Sequence, residues 1–377
     1  MPPRRRRALA RLGILAILVG LIWSTRPNKR LGARRQRAQR ASTLDPALRD
    51  EWNADDLPAK CEAELAAVLP AMNTDNANNA TSSSVNPTLA RSRLYGKFAR
   101  GLTEQGLTVF GSGGGAGDGG ATSQGLGLTS LFNFNPKSGK VTAKLERLEI
   151  PVRAIVIPLP ARAPAAARMH QATKRILGEA FPPSGGARGG GDSVWYQDPA
   201  VYHFSVFHAS HHLDAHAANA AEIREESAGI RGAVRGLCPI EAVIERVAVT
   251  PSGVVMALWN VRSGGEPAVL RRRLRRALPR APAKQIVADE VILHTTLARL
   301  LRPPPPTERH GKKKEEDEVD FGTGAAKRAA AALTSALCGV QATLPLAWFV
   351  HESDRLALAL KGKYDPHPMK FECAGRL

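Results

Sequence analysis

Cysteine is scarce in this 377-residue chain: Cys61, Cys238, Cys338 and Cys373 are the only four, and none stands in C-x-x-C spacing. That pattern supports neither a disulfide scaffold nor a cysteine zinc site, and it leaves the redox compartment open. Acid is absent from residues 1–44, where eleven arginines and Lys29 hold +12 of the formal net charge of +19. A full membrane-spanning run is missing too. Residues 12–23 (LGILAILVGLIW) form an apolar run of twelve, or sixteen from Ala8 with Arg11 snorkelling, against the roughly 20 residues that a span needs. The glycine run at 111–120 lacks the Gly-Lys-Ser/Thr of a phosphate-cradling loop, so it reads as flexible linker.

What is present is enough for a core. A hydrophobic content of 43% excludes wholesale disorder, and the length fits one large or two ordinary domains. The basic leader, 1–44, reads as a short membrane anchor, because no small-residue cleavage site follows Trp23 and a dense basic block does. The rivals are a cleaved signal peptide and an organellar transit peptide. Basic residues flank the run on both sides, so no orientation follows, and the leader suits an anionic membrane surface. A single sequon at Asn79 is usable only on a lumenal side. Residues 45–150 read as partly helical, with helical spacing over 45–70, an Asn/Ser linker at 73–86 and a short helix at 88–102. Further breaks fall at 182–192 and 302–320, where PPPP runs into KKKEEDEVD. The second reads as a disordered, solvated insert at about 302–322 within a domain spanning 151–377.

Between these breaks the chain repeats itself. The first half predicts strand 152–159, helix 163–180, strand 201–207, helix 217–237 and strand 241–250. The second predicts strand 253–261, helix 266–278, strand 291–298, helix 323–337 and strand 340–350, with a last strand at 355–360. Both halves end their second helix in Leu-Cys, at Leu237-Cys238 and Leu337-Cys338. Duplicated β-α-β-α-β units imply a bilobal α+β domain around a central cleft.

The third element of each half carries a histidine followed two positions later by a hydroxyl: His203 with Ser205, and His294 with Thr296. In a strand, i and i+2 share a face, so each pair points one way while Phe204, Val206, Leu293 and Leu297 pack behind. An approximate twofold turns the two pairs toward each other.

This arrangement resembles the two-histidine (2H) phosphoesterase superfamily, whose members repeat a His-x-Thr/Ser motif once per lobe and include plant cyclic phosphodiesterases and bacterial 2′,5′ RNA ligase-like proteins. The resemblance covers about 152–360. The stretches YHFSVFHASHH, ALPRAPAKQ and ILHTTLARLL are similar to a plant and algal branch described as RNA ligase/cyclic nucleotide phosphodiesterase-like. It implies that His203 and His294 are the catalytic pair and that Ser205 and Thr296 bind phosphate, on a nucleotide or RNA-end substrate.

The chemistry supports that assignment independently. Opening a 2′,3′-cyclic phosphate needs a base for the attacking water and an acid for the departing ribose oxygen, and two imidazoles titrating near ~6.5 supply both. Hydroxyls at 205 and 296 donate to non-bridging oxygens. No metal or other cofactor is required. The residues leave two alternatives: a catalytically inactive RNA-binding module of the same fold, and a metal-dependent hydrolase built on His203, His208, His211, His212 and His216, with His212 and His216 on one helix face. Trp195, Tyr196 and Tyr202 are candidates for base stacking. Helix 270–278 (LRRRLRRAL) is amphipathic, and its five arginines read as a solvated face that raises local anion concentration. No protein partner is legible.

Overall fold

The computed structural model describes residues 57–68, 86–110, 126–183, 192–304 and 315–373. All of them lie in one unit, Pro46–Leu377. The leader, the Asn79 sequon and the 111–120 glycine run lie outside the described residues, and no helix among those described is long and apolar enough to cross a membrane.

The N-terminal region supplies helices α1 (Ala59–Val68), α2 (Pro87–Gln105) and α3 (Leu128–Leu131) and the hairpin β1 (Phe132–Phe134) with β2 (Val141–Ala143). The repeat's first half follows: β3 (Arg147–Pro158), α4 (Pro164–Ala180), β4 (Val194–Tyr196), β5 (His203–Ser210), α5 (Ala220–Val234), β6 (Arg235–Gly236) and β7 (Ile240–Val249). The second half gives β8 (Val254–Ser263), α6 (Pro267–Ala277), β9 (His294–Leu300), α7 (Glu315–Leu337), β10 (Gln341–Leu344), β11 (Leu346–Asp354), α8 (Ala357–Leu360), β12 (Tyr364–Lys370) and β13 (Glu372–Cys373). Local chemistry explains the helix starts. Prolines stand in the first turn of α2, α4 and α6, where no intrahelical N–H is needed, and α5 opens on a capping box between Asn219 and Glu222.

The described residues are α+β, and their two larger sheets are antiparallel. The first sheet runs β12-β11-β3-β5 and the second β10-β7-β8-β9-β4. The repeat is realised by exchange. β7, which ends the first half, pairs with β8 of the second, and β11, near the end of the second, pairs with β3 of the first. Each sheet therefore reads histidine strand, opening strand, strand from the other half: β5-β3-β11 and β9-β8-β7. One continuous hydrophobic cluster joins Ile155, Phe204, Trp259 and Leu297 to Leu102, Phe110 and Leu131 of the N-terminal region.

Four expectations are corrected. The strand predicted over 340–350 breaks at Pro345, which has no N–H for a ladder, and the chain passes there from the second sheet to the first. The strand predicted at 355–360 is the short helix α8, bracketed by left-handed Leu356 (φ 53°) and Lys361 (φ 61°). The insert at about 302–322 is helical from Glu315 onward, as the start of α7. The cysteines, which gave no sign of pairing in sequence, form Cys61–Cys338 and Cys238–Cys373 with Cα separations of 5.5 and 4.2 Å.

The two cystines close loops of 277 and 135 residues, worth up to about 5 kcal/mol each if chain entropy dominates. Peptide mapping under non-reducing conditions is therefore expected to recover these two linkages, and reduction to lower the thermal midpoint by several degrees. Free thiols at all four positions in the natively expressed protein would contradict the pairing.

Candidate active site

His203 sits opposite Pro158 in the β3–β5 ladder, and Ser205 opposite Val156. His294 sits opposite Leu258 in the β8–β9 ladder, and Thr296 opposite Met256. Directly paired residues project on one face, so each histidine shares a face with its hydroxyl. Burial alternates accordingly: all four residues are half-buried, while Phe204, Val206, Leu293, Thr295 and Leu297 between and around them are buried.

Each ladder then slips at the same place. Ser205 pairs with Val156 but Phe207 with Ile155, so Val206 is looped out; Thr296 pairs with Met256 but Ala298 with Val255, so Leu297 is looped out. Two β-bulges thus follow the two hydroxyls directly. A bulge reverses the alternation of side chains beyond it. Consequently His208, opposite Ala154, and Arg299, opposite Val254, join the faces of their own histidines. Arg299 was not among the predicted site residues, and His208 was named only as a candidate metal ligand, because a strict period of two sends i+5 to the opposite face.

A bulge frees backbone groups that need partners. Arg271 of α6 supplies them in β5: its Nε donates to the Val206 carbonyl at 3.1 Å and its Nη2 to the Ser205 carbonyl at 3.1 Å, while Nη1 donates to the Glu290 carbonyl at 2.6 Å. In β9 the Leu297 carbonyl accepts from the Gln197 N–H at 3.0 Å. Gln285 also stitches the free edge of β5, its amide accepting from the His208 N–H at 2.7 Å and donating to the His208 carbonyl at 3.0 Å.

These bonds overturn the reading of α6 as a solvated basic face. Arg271 is buried, Arg273 donates to the carbonyls of Ala233 and Arg235, and Arg275 donates to three carbonyls at 281–283 while lying over the Phe207 ring. Of the five arginines only Arg272 and Arg276 are exposed, and Arg272 pairs with Glu290. A binary apolar pattern does not reveal this, because Arg271 borders the Leu270–Leu274 stripe and reaches past it.

The two histidine strands lie against each other across the sheets, and behind them the Phe204 and Trp259 rings meet edge to face at 5.5 Å. Their electrostatics differ. The His203 Nδ1–H donates to the Val201 carbonyl at 2.9 Å, which leaves Nε2 for chemistry. Burial lowers the His203 pKa, and that carbonyl works against the shift by favouring the charged ring. His294 is pushed down to about 4 by burial, then by the Arg271 guanidinium and by His203. Its Nδ1 has no partner among the described residues. His208 is pushed down to about 3 by burial and by His211, His212 and His203. Arg299 is lowered to about 10 by burial alone, with no carboxylate beside it among the described residues. No protein group among those described takes up the Ser205 or Thr296 hydroxyl.

The remaining candidates separate. Residues 211–216 form a turn rather than a helix, so His212 and His216 do not share a helix face. His211 Nε2 engages the Lys284 carbonyl at 3.0 Å, and His216 lies 3.5 Å from Asp214. Among the described residues no group of three or more His, Cys, Asp or Glu is arranged to hold a metal ion. Tyr202 is buried and unavailable for stacking. Trp195 packs on Phe132 at 5.2 Å and, with Tyr196, lines a cavity of about 480 Å³ beside His170, Asp198 and Lys361. Neither that cavity nor one of about 530 Å³ between α2, β7 and α7 is lined by the two histidine-hydroxyl pairs.

No family model and no curated protein matches this chain.

Because His294 and His208 resist protonation in the fold, the unfolded chain binds protons between the ordinary histidine pKa and about 4 and 3 respectively. Stability is therefore full above ~6.5 and falls as pH drops below it. Thermal midpoints measured from pH 7.5 to 4.5 are expected to fall by several degrees more in the wild type than in His208→Gln. Equal slopes would contradict the burial of a neutral imidazole.

Proposed function

We propose that the chain is a phosphoesterase of the two-histidine type, working without a metal cofactor. Its reaction is the opening of a cyclic phosphate, in the first instance a 2′,3′-cyclic phosphate on a nucleotide or RNA end. The observation that carries this reading is the repeated unit of histidine, hydroxyl and bulge on two strands that touch across the sheets.

The electrostatics assign the roles. His294, disfavoured as a cation, is neutral and takes the proton of the attacking water; His203, whose charged form is supported by the Val201 carbonyl, holds the proton that goes to the leaving ribose oxygen. As the water oxygen bonds to phosphorus, the ring P–O bond breaks. Charge that grows on the non-bridging oxygens meets the Ser205 and Thr296 hydroxyls and Arg299, which has no carboxylate beside it among the described residues. A phosphate between the two rings also raises both histidine pKa values in the complex. The cystines favour an oxidising compartment, so the leader is best read as a tether that leaves the domain on the lumenal or outer side of a membrane.

Purified full-length protein is expected to open 2′,3′-cyclic nucleotides with activity that survives EDTA. His203→Ala and His294→Ala should each lower kcat by about 10² to 10⁴, and Arg299→Met should chiefly raise KM. The kcat/KM profile should be bell-shaped with its optimum on the acid side of 6.5, losing rate as pH falls through about 4, where His294 gains a proton, and again as pH rises through the lowered pKa of His203. RNA binding without turnover would instead favour the inactive module, and EDTA-sensitive turnover the metal-dependent hydrolase.

A further inference from the structure

Helix α2 belongs to the N-terminal region, to which the sequence assigns no role. It packs on β7 and β8, and its Tyr95 joins Ala248, Val254, Met256, Leu258 and Ile292 in a cluster of its own. Met256 and Leu258 are the cross-strand partners of Thr296 and His294, so α2 covers the very face of the second sheet that carries the second motif. The helix is fixed there by buried polar bonds. Arg91 Nε donates to the Val291 carbonyl at 2.7 Å, and Ser92 Oγ donates to Glu245 at 2.6 Å. Glu245 also accepts from Asn260 at 2.6 Å, and Arg91 pairs with Glu266.

Beyond its bulge the ladder between β8 and β9 runs regularly from Met256 opposite Thr296 to Leu258 opposite His294. At the next rung only half of it is direct: the Trp259 N–H donates to the Leu293 carbonyl at 2.8 Å. The return bond passes through a side chain. The Leu293 N–H donates to the Tyr95 hydroxyl at 3.0 Å, and that hydroxyl donates to the Trp259 carbonyl at 2.7 Å. It also lies 2.9 Å from the Leu293 carbonyl. A phenol is thus inserted into one of the two bonds of the rung one residue before His294. Burial raises the Tyr95 pKa, so the hydroxyl stays neutral and remains both donor and acceptor.

The two histidines depend on the backbone to different degrees. His203 has a carbonyl on Nδ1 to fix its ring. Among the described residues His294 Nδ1 has no partner, so the aim of that ring is set by its rotamer and by the course of residues 291–294. Arg91 holds Val291 and Tyr95 holds Leu293, both from one helix.

We propose that Tyr95, presented by α2, is a positioning residue for His294. This rests on the two-histidine reading of the site. Removing the hydroxyl leaves a buried N–H and a buried carbonyl unpaired, and the rung must close up or admit water. Either response moves His294, and small misplacements of a catalytic group cost rate steeply.

The test compares Tyr95→Phe with Ser92→Ala in the full-length protein. Ser92→Ala loosens the same helix without touching the rung. Tyr95→Phe is expected to lower kcat about tenfold or more with KM within about twofold, and Ser92→Ala to keep kcat within about twofold even where its thermal midpoint falls as far. Hydrogen exchange at the Leu293 amide should quicken about tenfold or more in Tyr95→Phe alone, and the His294 ring titration should move while that of His203 stays. Equal loss of kcat in both variants, or Tyr95→Phe with unchanged exchange and titration, would overturn the assignment. If the wild type shows no turnover, the phosphoesterase reading fails, yet the exchange and titration still decide whether Tyr95 sets the position of His294.

Discussion

A β-strand alternates its side chains with period two, and the site depends on breaking that rule once in each half. The looped-out Val206 and Leu297 let residues i, i+2 and i+5 share a face, which adds His208 to one motif and Arg299 to the other. An unsupported bulge would strand its carbonyls in the core. Arg271 and Gln197 take them up, one as a buried guanidinium and the other as a backbone N–H just past the neighbouring edge strand. These freed carbonyls are thus bonded, and the bulges are built features of the site.

The same bonds tie the halves together. Arg271 and Gln285 come from the second half and act on β5 of the first; Gln197 comes from the first half and acts on β9 of the second. β7 and β11 have likewise changed sheets, and Phe204 meets Trp259 behind the two histidines. Neither half has a complete sheet alone, so the geometry of the pair is a property of the whole domain. Cys61–Cys338 ties α1 to the end of α7, and Cys238–Cys373 ties the C-terminal strand to the segment that follows α5 and β6.

Much of this was legible in the sequence, for a physical reason. His203 with Ser205 and His294 with Thr296 rest on the pleat alone, and the helices at 163–180 and 266–278 announce themselves by period and by proline in the first turn. What escaped depends on distant partners. A run of β-formers over 340–350 shows no sign that Pro345 sends its two parts to different sheets. Cysteines 277 and 135 residues apart carry no spacing rule. Arg271 reads as one more surface arginine in LRRRLRRAL until a carbonyl-rich bulge is placed beside it, and Tyr95 as one more core aromatic until its hydroxyl is seen in the ladder. Residues 355–360 (RLALAL) alternate leucine in a strand-like way, yet the left-handed turns at Leu356 and Lys361 coil them.

The central claim is that His203 and His294 attend the same phosphate. It is tested most directly by following both imidazoles by nitrogen NMR while the full-length protein is titrated with a non-hydrolysable analogue of a nucleoside 2′,3′-cyclic phosphate. The account predicts that both rings shift in one saturable step with a common Kd, each toward its charged form. A shift confined to one ring, or two steps with separate affinities, would contradict it.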